Sequence, residues 1–206
     1  LAIVLPKSIF LHIPKTGGEW VRKVLWDNHL EAVPLDPGRQ KHAPLQWFEE
    51  RGNFNRVCRF AFVRDPLAWY WSFFRYQTAR DWREIPEVAL SDCRAPDFGR
   101  FLNNVFSRRK PNWLSRLYEN YIGHPSWAIE FVGRTERLAD HLGYILTRIG
   151  ERYDPDTLRS PPLNAAPPVP LPAEHRNAVR AFEPRFYERF CSRTMPQRVV
   201  PCPNES

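Results

Sequence analysis

The chain is short of lysine, short of cysteine and without a long hydrophobic run, and each shortage narrows what it does. No stretch approaches the roughly 18 apolar residues of a membrane-spanning helix, and no basic-then-apolar leader opens the chain. It therefore reads as soluble, with Leu1 rather than Met at its start leaving room for an upstream segment. The four cysteines, Cys58, Cys93, Cys191 and Cys202, show no CxxC spacing, so neither a zinc site nor a redox pair is signalled. Cys58 lies in an apolar strand pattern and reads as a small core residue, while a Cys191 to Cys202 disulfide is open but not expected. No internal repeat is present. Helix-turn-helix, RNP and zinc-finger patterns are also missing, which argues against nucleic acid as the partner.

What is present is arginine. Of 30 basic residues against 23 acidic ones, only Lys7, Lys15, Lys23, Lys41 and Lys110 are lysine, and the net charge is +7. That balance favours an anionic ligand, although the arginines are scattered rather than clustered. At 206 residues the expectation is one domain, 1–206, with one core. The 21 prolines concentrate between Pro155 and Pro172 and at the C-terminus, which read as ordered loop and tail.

Ser8 to Ile13 is apolar, too brief for a helix and stopped by Pro14, so it is expected to be a buried parallel strand. A helix follows from about Glu19 to His29, with Trp20, Val21, Val24 and Leu25 inward. Val57 to Val63 is the second strand, after which Asp65 and Pro66 open a helix as N-cap and first helical residue. Two helices are expected near Phe98 to Ser107 and Asn112 to Tyr121, inside an irregular region 81–124. Trp127 to Val132 is the third strand. The stripe Leu138, Leu142, Ile145, Leu146 and Ile149 makes a helix that Gly150 stops. The last helix runs from about Ala173 to Arg193, kinked at Pro184, with Val179, Phe182, Phe186 and Phe190 inward. Alternating strands and helices give an α/β fold with a parallel sheet, whose ligands bind at the carboxyl ends of the strands.

Two stretches fall at those ends. In HIPKTGGEW, from His12, Gly17 and Gly18 allow a tight turn, a helix begins at Glu19, and Lys15 adds a full charge. This is an anion socket at 14–19, but no Walker A loop, because the lysine precedes the glycines and no hydroxyl residue follows them. In FVRDPLAWYWSFF, spanned by the strand-helix unit 57–79, Asp65 and Ser72 are two helical turns apart and share a face introduced by Arg64.

With both stretches in view, the sequence resembles the PAPS-dependent sulfotransferases, in particular the carbohydrate branch that includes heparan sulfate 2-O-sulfotransferase. That family grips 3′-phosphoadenosine 5′-phosphosulfate (PAPS) with a PKTGG[TS] loop and a strand-helix unit reading roughly VRDPxxRxxSxF. The resemblance implies a three-layer P-loop NTPase-like fold with a central parallel sheet flanked by helices. It also implies sulfuryl transfer to a hydroxyl, expected on a saccharide, without a metal. Pro14, Lys15, Thr16, Gly17, Gly18 and Glu19 would surround the 5′ group, and Arg64 and Ser72 the 3′ phosphate. Similarity continues through KHAP around His42, FVGRTERL from Phe131, which brings in Arg134, and PPLNAAP from Pro161. The chain departs from the pattern at Trp69, where the family often has arginine, and at Glu19, where it has a hydroxyl residue.

Two residues compete to be the base that takes the acceptor proton. His42 suits the task by its pKa range and its place in the loop after the first helix, or it is a solvent-facing loop residue. Glu19 either faces the acceptor or is a first-turn carboxylate favoured by the helix dipole, with Arg22 and Lys23 at hand to pair with it. His12, His124, His141 and His175 are given no role. Two other functions stay open: a P-loop-type nucleotide kinase, and a non-catalytic binder of acidic polysaccharide or RNA. PAPS is made in the cytosol, so a cytoplasmic location is expected, and nothing indicates an oligomeric state.

Overall fold

The computed structural model describes residues 2–30, 33–34, 57–83, 85, 88–123, 129–161, 163, 171–191 and 197–198. His42, His124 and Cys202 lie outside the described residues, as do KHAP and most of PPLNAAP. In chain order the elements are β1 (Ile3–Val4), β2 (Ser8–Leu11), α1 (Gly18–Asp27), β3 (Val33–Pro34), β4 (Cys58–Val63) and α2 (Pro66–Thr78). There follow α3 (Phe98–Arg108), α4 (Trp113–Ile122), β5 (Phe131–Arg134), α5 (Leu138–Ile149), α6 (Ala173–Phe182), α7 (Pro184–Phe190) and β6 (Gln197–Arg198).

The strands form one sheet in the order β3-β1-β2-β4-β5-β6. Only its centre is parallel: β2 pairs with β4, and β4 with β5. The flanking β1, β3 and β6 run antiparallel to their neighbours, so the sheet is mixed rather than wholly parallel as expected. The class is α/β.

The chain divides into two compact units, Leu1–Val63 with Tyr118–Asn164 and Thr194–Ser206, and Arg64–Leu117 with Ala165–Arg193. The first holds the sheet. Phe10, Phe60, Phe62 and Phe131 line one face and meet Trp20, Val21, Val24 and Leu25 of α1 and Leu142, Ile145 and Leu146 of α5. These helical positions recur at three- and four-residue spacing, which puts them on one stripe. The alternate strand residues Ile9, Leu11, Ala61, Val63 and Val132 are buried too, as continuous apolar runs in a parallel sheet require. Each fully buried Phe, Leu or Ile contributes roughly 1.5–3 kcal/mol. Arg59 pairs with buried Glu130 at 2.8 Å, and buried Glu151 is hydrogen-bonded, accepting from Ser8 Oγ at 2.8 Å and the Lys7 backbone N–H at 2.9 Å.

Gly150 ends α5 in the left-handed region at φ 80°, as the sequence pattern predicts. The third strand is displaced from the expected 127–132 to Phe131–Arg134, because Ile129 N bonds to Ile122 O and is held to the end of α4 instead of to the sheet. Cys58 is a buried strand residue, as expected, and it is also disulfide-bonded, which the sequence reading did not expect, to a partner outside the described residues. Cys191 is an exposed thiol outside any disulfide. Among the described residues no helix is long and apolar enough to cross a membrane.

The second unit is built on aromatics. Asp65 caps α2 by accepting from Ala68 N at 3.1 Å, with Pro66 at the first helical position. Trp69 is fully buried, stacked on Phe73 at 5.3 Å and tilted against Trp113 at 5.9 Å. The residue standing where the family often has an arginine is thus a core residue, and its ring is spent on packing. The expected long C-terminal helix is two helices, broken at Glu183 before Pro184. Glu183 is buried and accepts from Tyr70 Oη, Leu114 N, Ser115 N and Ser115 Oγ at 2.8–3.1 Å, which supplies the first turn of α4 with an acceptor from a distant part of the chain.

Candidate functional site

β2 ends at Leu11, and the chain turns through His12 to Gly17 before α1 begins at Gly18. Two residues of that turn take left-handed backbone, Lys15 at φ 66° and Gly17 at φ 82°. For Gly17 this is inexpensive; for Lys15 it costs of order 1–3 kcal/mol, strain of the kind stored at functional loops. Gly17 is also hemmed in, since a Cβ there would come within 2.7 Å of Leu138. Gly18 is required for a different reason: a Cβ would lie 1.9 Å from the His12 ring. The two glycines serve a turn and a close approach respectively.

Thr16 is fully buried, and its hydroxyl donates to Ile13 O at 2.9 Å. Its side chain closes the turn, so only its backbone can face a ligand. Glu19 Oε2 accepts from Arg22 at 2.6 Å on the helix surface, the pairing expected of a first-turn carboxylate. Lys23, offered by the sequence as a second partner for Glu19, pairs with Asp27 instead.

The parallel register brings the ends of the central strands to one side, with Leu11 opposite Ala61 and Val63 opposite Arg134. There the β5 to α5 junction meets the Lys15 loop. Thr135 Oγ1 lies 3.0 Å from Thr16 O and 3.2 Å from Val63 O, its single proton shared between the two carbonyls and closer to Thr16 O. Arg134 holds Glu136 at 3.0 Å through its guanidinium, and its backbone N–H donates to His141 Nδ1 at 2.9 Å. Burial, and then the charge of Arg137, hold the His141 pKa below its ordinary value, so the imidazole is neutral near pH 7. With Nδ1 accepting, the proton sits on Nε2, which is buried and finds no partner among the described residues.

The donor set suits an anion. Lys15 carries a full charge, α1 directs its N-terminal amides and dipole toward the loop, and among the described residues no acceptor takes the Gly17 N–H. Among the described residues no group of three or more metal-ligating side chains is gathered.

Of the residues singled out by sequence, the structure brings together Pro14 to Glu19 and Arg134 within the first unit. Arg64 and Ser72 belong to the second unit, both half-buried, at the start of α2 and two turns along it. His42 is outside the described residues. Three residues at the loop were not anticipated in any role: His12 beneath Gly18, Thr135 beside Thr16, and His141 beneath Arg134. His12 lies in HIPKTGGEW and Thr135 in FVGRTERL, stretches that carried the resemblance, whereas His141 lies in neither. Set against family models, curated proteins and solved structures, the chain matches none of them.

Proposed function

We propose that this protein is a PAPS-dependent sulfotransferase acting on a hydroxyl of a saccharide, with a P-loop NTPase-like fold. The observation that carries the reading is the Lys15 to Gly18 turn at the end of a central parallel strand, where a lysine, a glycine amide and a helix N-terminus converge. When bound, PAPS supplies an activated sulfuryl group and leaves as adenosine 3′,5′-bisphosphate. Lys15 offers its charge to the bridging oxygen on which negative charge builds, and the loop amides hold the 5′ phosphate without reorganising. Arg64 and Ser72 take the 3′ phosphate, with Arg134 completing the nucleotide contacts. His42 removes the acceptor proton.

The kinase reading has less support, because it needs a magnesium-binding carboxylate at a strand end. Asp65, the candidate, already spends Oδ1 on Ala68 N and Oδ2 on Tyr187 Oη at 3.3 Å. The Cys58 disulfide also favours an oxidising compartment over the cytosol.

Adenosine 3′,5′-bisphosphate is expected to raise the thermal midpoint more than adenosine 5′-monophosphate at equal concentration, since only the former engages both phosphate elements. Equal shifts in a thermal scan would rule out Arg64 and Ser72 as a second phosphate site. For the base, His42→Ala is expected to lower turnover about 10²–10⁴-fold with nucleotide affinity unchanged. Glu19→Gln, which gives up the helix-surface ion pair with Arg22, is expected to leave turnover nearly intact. The opposite pattern in steady-state kinetics would transfer the role to Glu19.

A further inference from the structure

We infer that Thr135 is a positioning residue for the 5′ phosphosulfate, acting by fixing the peptide plane between Thr16 and Gly17; the inference rests on the sulfotransferase reading of the same loop. A trans peptide directs its C=O and its N–H to opposite sides. Thr135 Oγ1 donates to Thr16 O at 3.0 Å, which turns that carbonyl toward the end of β5. The Gly17 N–H, in the same plane, must then face away from β5, and among the described residues no acceptor meets it there.

The need for such a clamp follows from the backbone. Gly17 has left-handed φ and no side chain, so the peptide before it has a low barrier to flipping, and a flipped plane would present a carbonyl oxygen to the anion in place of a donor. The Thr16 hydroxyl cannot prevent this, because it is engaged with Ile13 O. Thr135 is suited to the task because the same hydroxyl also reaches Val63 O at 3.2 Å, the last carbonyl of β4, so the clamp is referenced to the sheet. Its methyl group adds a second restraint, lying 3.5 Å from where a Gly17 Cβ would stand. The residue touches no reacting atom and acts only through the Gly17 amide.

The test uses the whole chain and three forms, wild type, Thr135→Val and Thr135→Ser, titrated with adenosine 3′,5′-bisphosphate and adenosine 5′-monophosphate by calorimetry. Valine keeps the shape and removes the hydroxyl. Losing one charge-assisted donor is expected to weaken both nucleotides by about tenfold to a hundredfold, and by the same factor, because both carry the 5′ phosphate. Serine restores the hydroxyl and is expected to bind within about threefold of wild type. Binding by the valine variant within twofold of wild type overturns the inference. So does equal weakening by valine and serine, which would mark Thr135 as a packing residue.

A ligand-free readout separates this idea from the functional reading. The Gly17 amide resonance and its hydrogen-exchange rate are expected to change in Thr135→Val and return in Thr135→Ser. If wild type binds neither nucleotide, the sulfotransferase reading falls while a shifted Gly17 amide still supports the clamp. An unmoved Gly17 amide overturns the clamp whatever the nucleotides do.

Discussion

Lys15→Ala is expected to remove sulfuryl transfer, lowering turnover by about 10²–10³-fold or more, while moving the thermal midpoint by no more than a few degrees. Lys15 stands in the left-handed region at φ 66°, so the unfavourable backbone is already present in the wild type and alanine adds no new strain. Its side chain is no part of the apolar core of the first unit. What the substitution takes away is the only full positive charge in the 14–19 turn, and with it the compensation for charge that builds on the departing oxygen. Lys15→Arg is the control: it keeps the charge but replaces a compact ammonium on a flexible stem by a broad planar fork, and is expected to recover only part of the activity. The measurement is single-turnover transfer to a polysaccharide acceptor, with solvolysis of PAPS by water as the fallback. Normal turnover by Lys15→Ala would refute the mechanism.

Much of the frame that presents Lys15 was readable because it depends on local chemistry. Asp65 and Pro66 opening a helix, Gly150 closing one, and Glu19 pairing with Arg22 are each decided within four residues, and the structure has all three. The apolar runs at Ser8 to Leu11 and Cys58 to Val63 are short, uninterrupted and ended by clear signals, so their assignment as strands needed no tertiary information. Two-residue strands are a different matter. Ile3–Val4, Val33–Pro34 and Gln197–Arg198 carry no usable periodicity, and without them the sheet looked wholly parallel. Ile129, just before Phe131, is as hydrophobic as a strand residue, but its amide is taken by a hydrogen bond to Ile122 O, which no pattern reveals.

The candidate site divides in the same way. Gly17 and Gly18 announce a tight turn, and Lys15 an anion. The reasons both glycines are obligatory come from residues distant in space or chain: Leu138 for one and the His12 ring for the other. Thr135 reaches Thr16 across 119 positions in the chain, and its role exists only once the parallel register sets β5 two strands from the loop. Trp69 shows the converse. It stands where the resembled pattern often has an arginine, and its burial against Phe73 and Trp113, which no local pattern reveals, makes it part of what holds α2 in position.

Glu183→Ala is expected to cause the largest loss of stability of any single substitution considered, about 3–5 kcal/mol. Glu183 is buried and, among the described residues, is the acceptor of the Leu114 and Ser115 amides at the start of α4, besides receiving the hydroxyls of Tyr70 and Ser115. Alanine leaves two buried amides without an acceptor and opens a cavity among them. Glu183→Gln isolates the hydrogen-bonding part. Each carboxylate oxygen accepts one backbone amide and one hydroxyl, so whichever oxygen becomes an NH₂ faces a backbone N–H that cannot reverse, although the neighbouring hydroxyl can. Glutamine is therefore expected to cost about 1–3 kcal/mol, a drop of roughly 2–12 °C in thermal midpoint for a chain of this size. Near-wild-type stability of the glutamine variant in urea unfolding would mean that the amides of α4 find another acceptor. The pH dependence gives a second check. Burial raises the Glu183 pKa above the ordinary value of 4.5 against the pull of its four donors, so the fold favours the protonated carboxyl more than the unfolded chain does. The stability that this group contributes is complete below that ordinary value and is lost as the pH rises through the raised one. Urea midpoints of the wild type are accordingly expected to carry a downward slope across that interval which Glu183→Gln, having nothing to titrate, does not share; parallel curves for the two proteins would show that the carboxylate is ionised throughout and that its donors outweigh its burial.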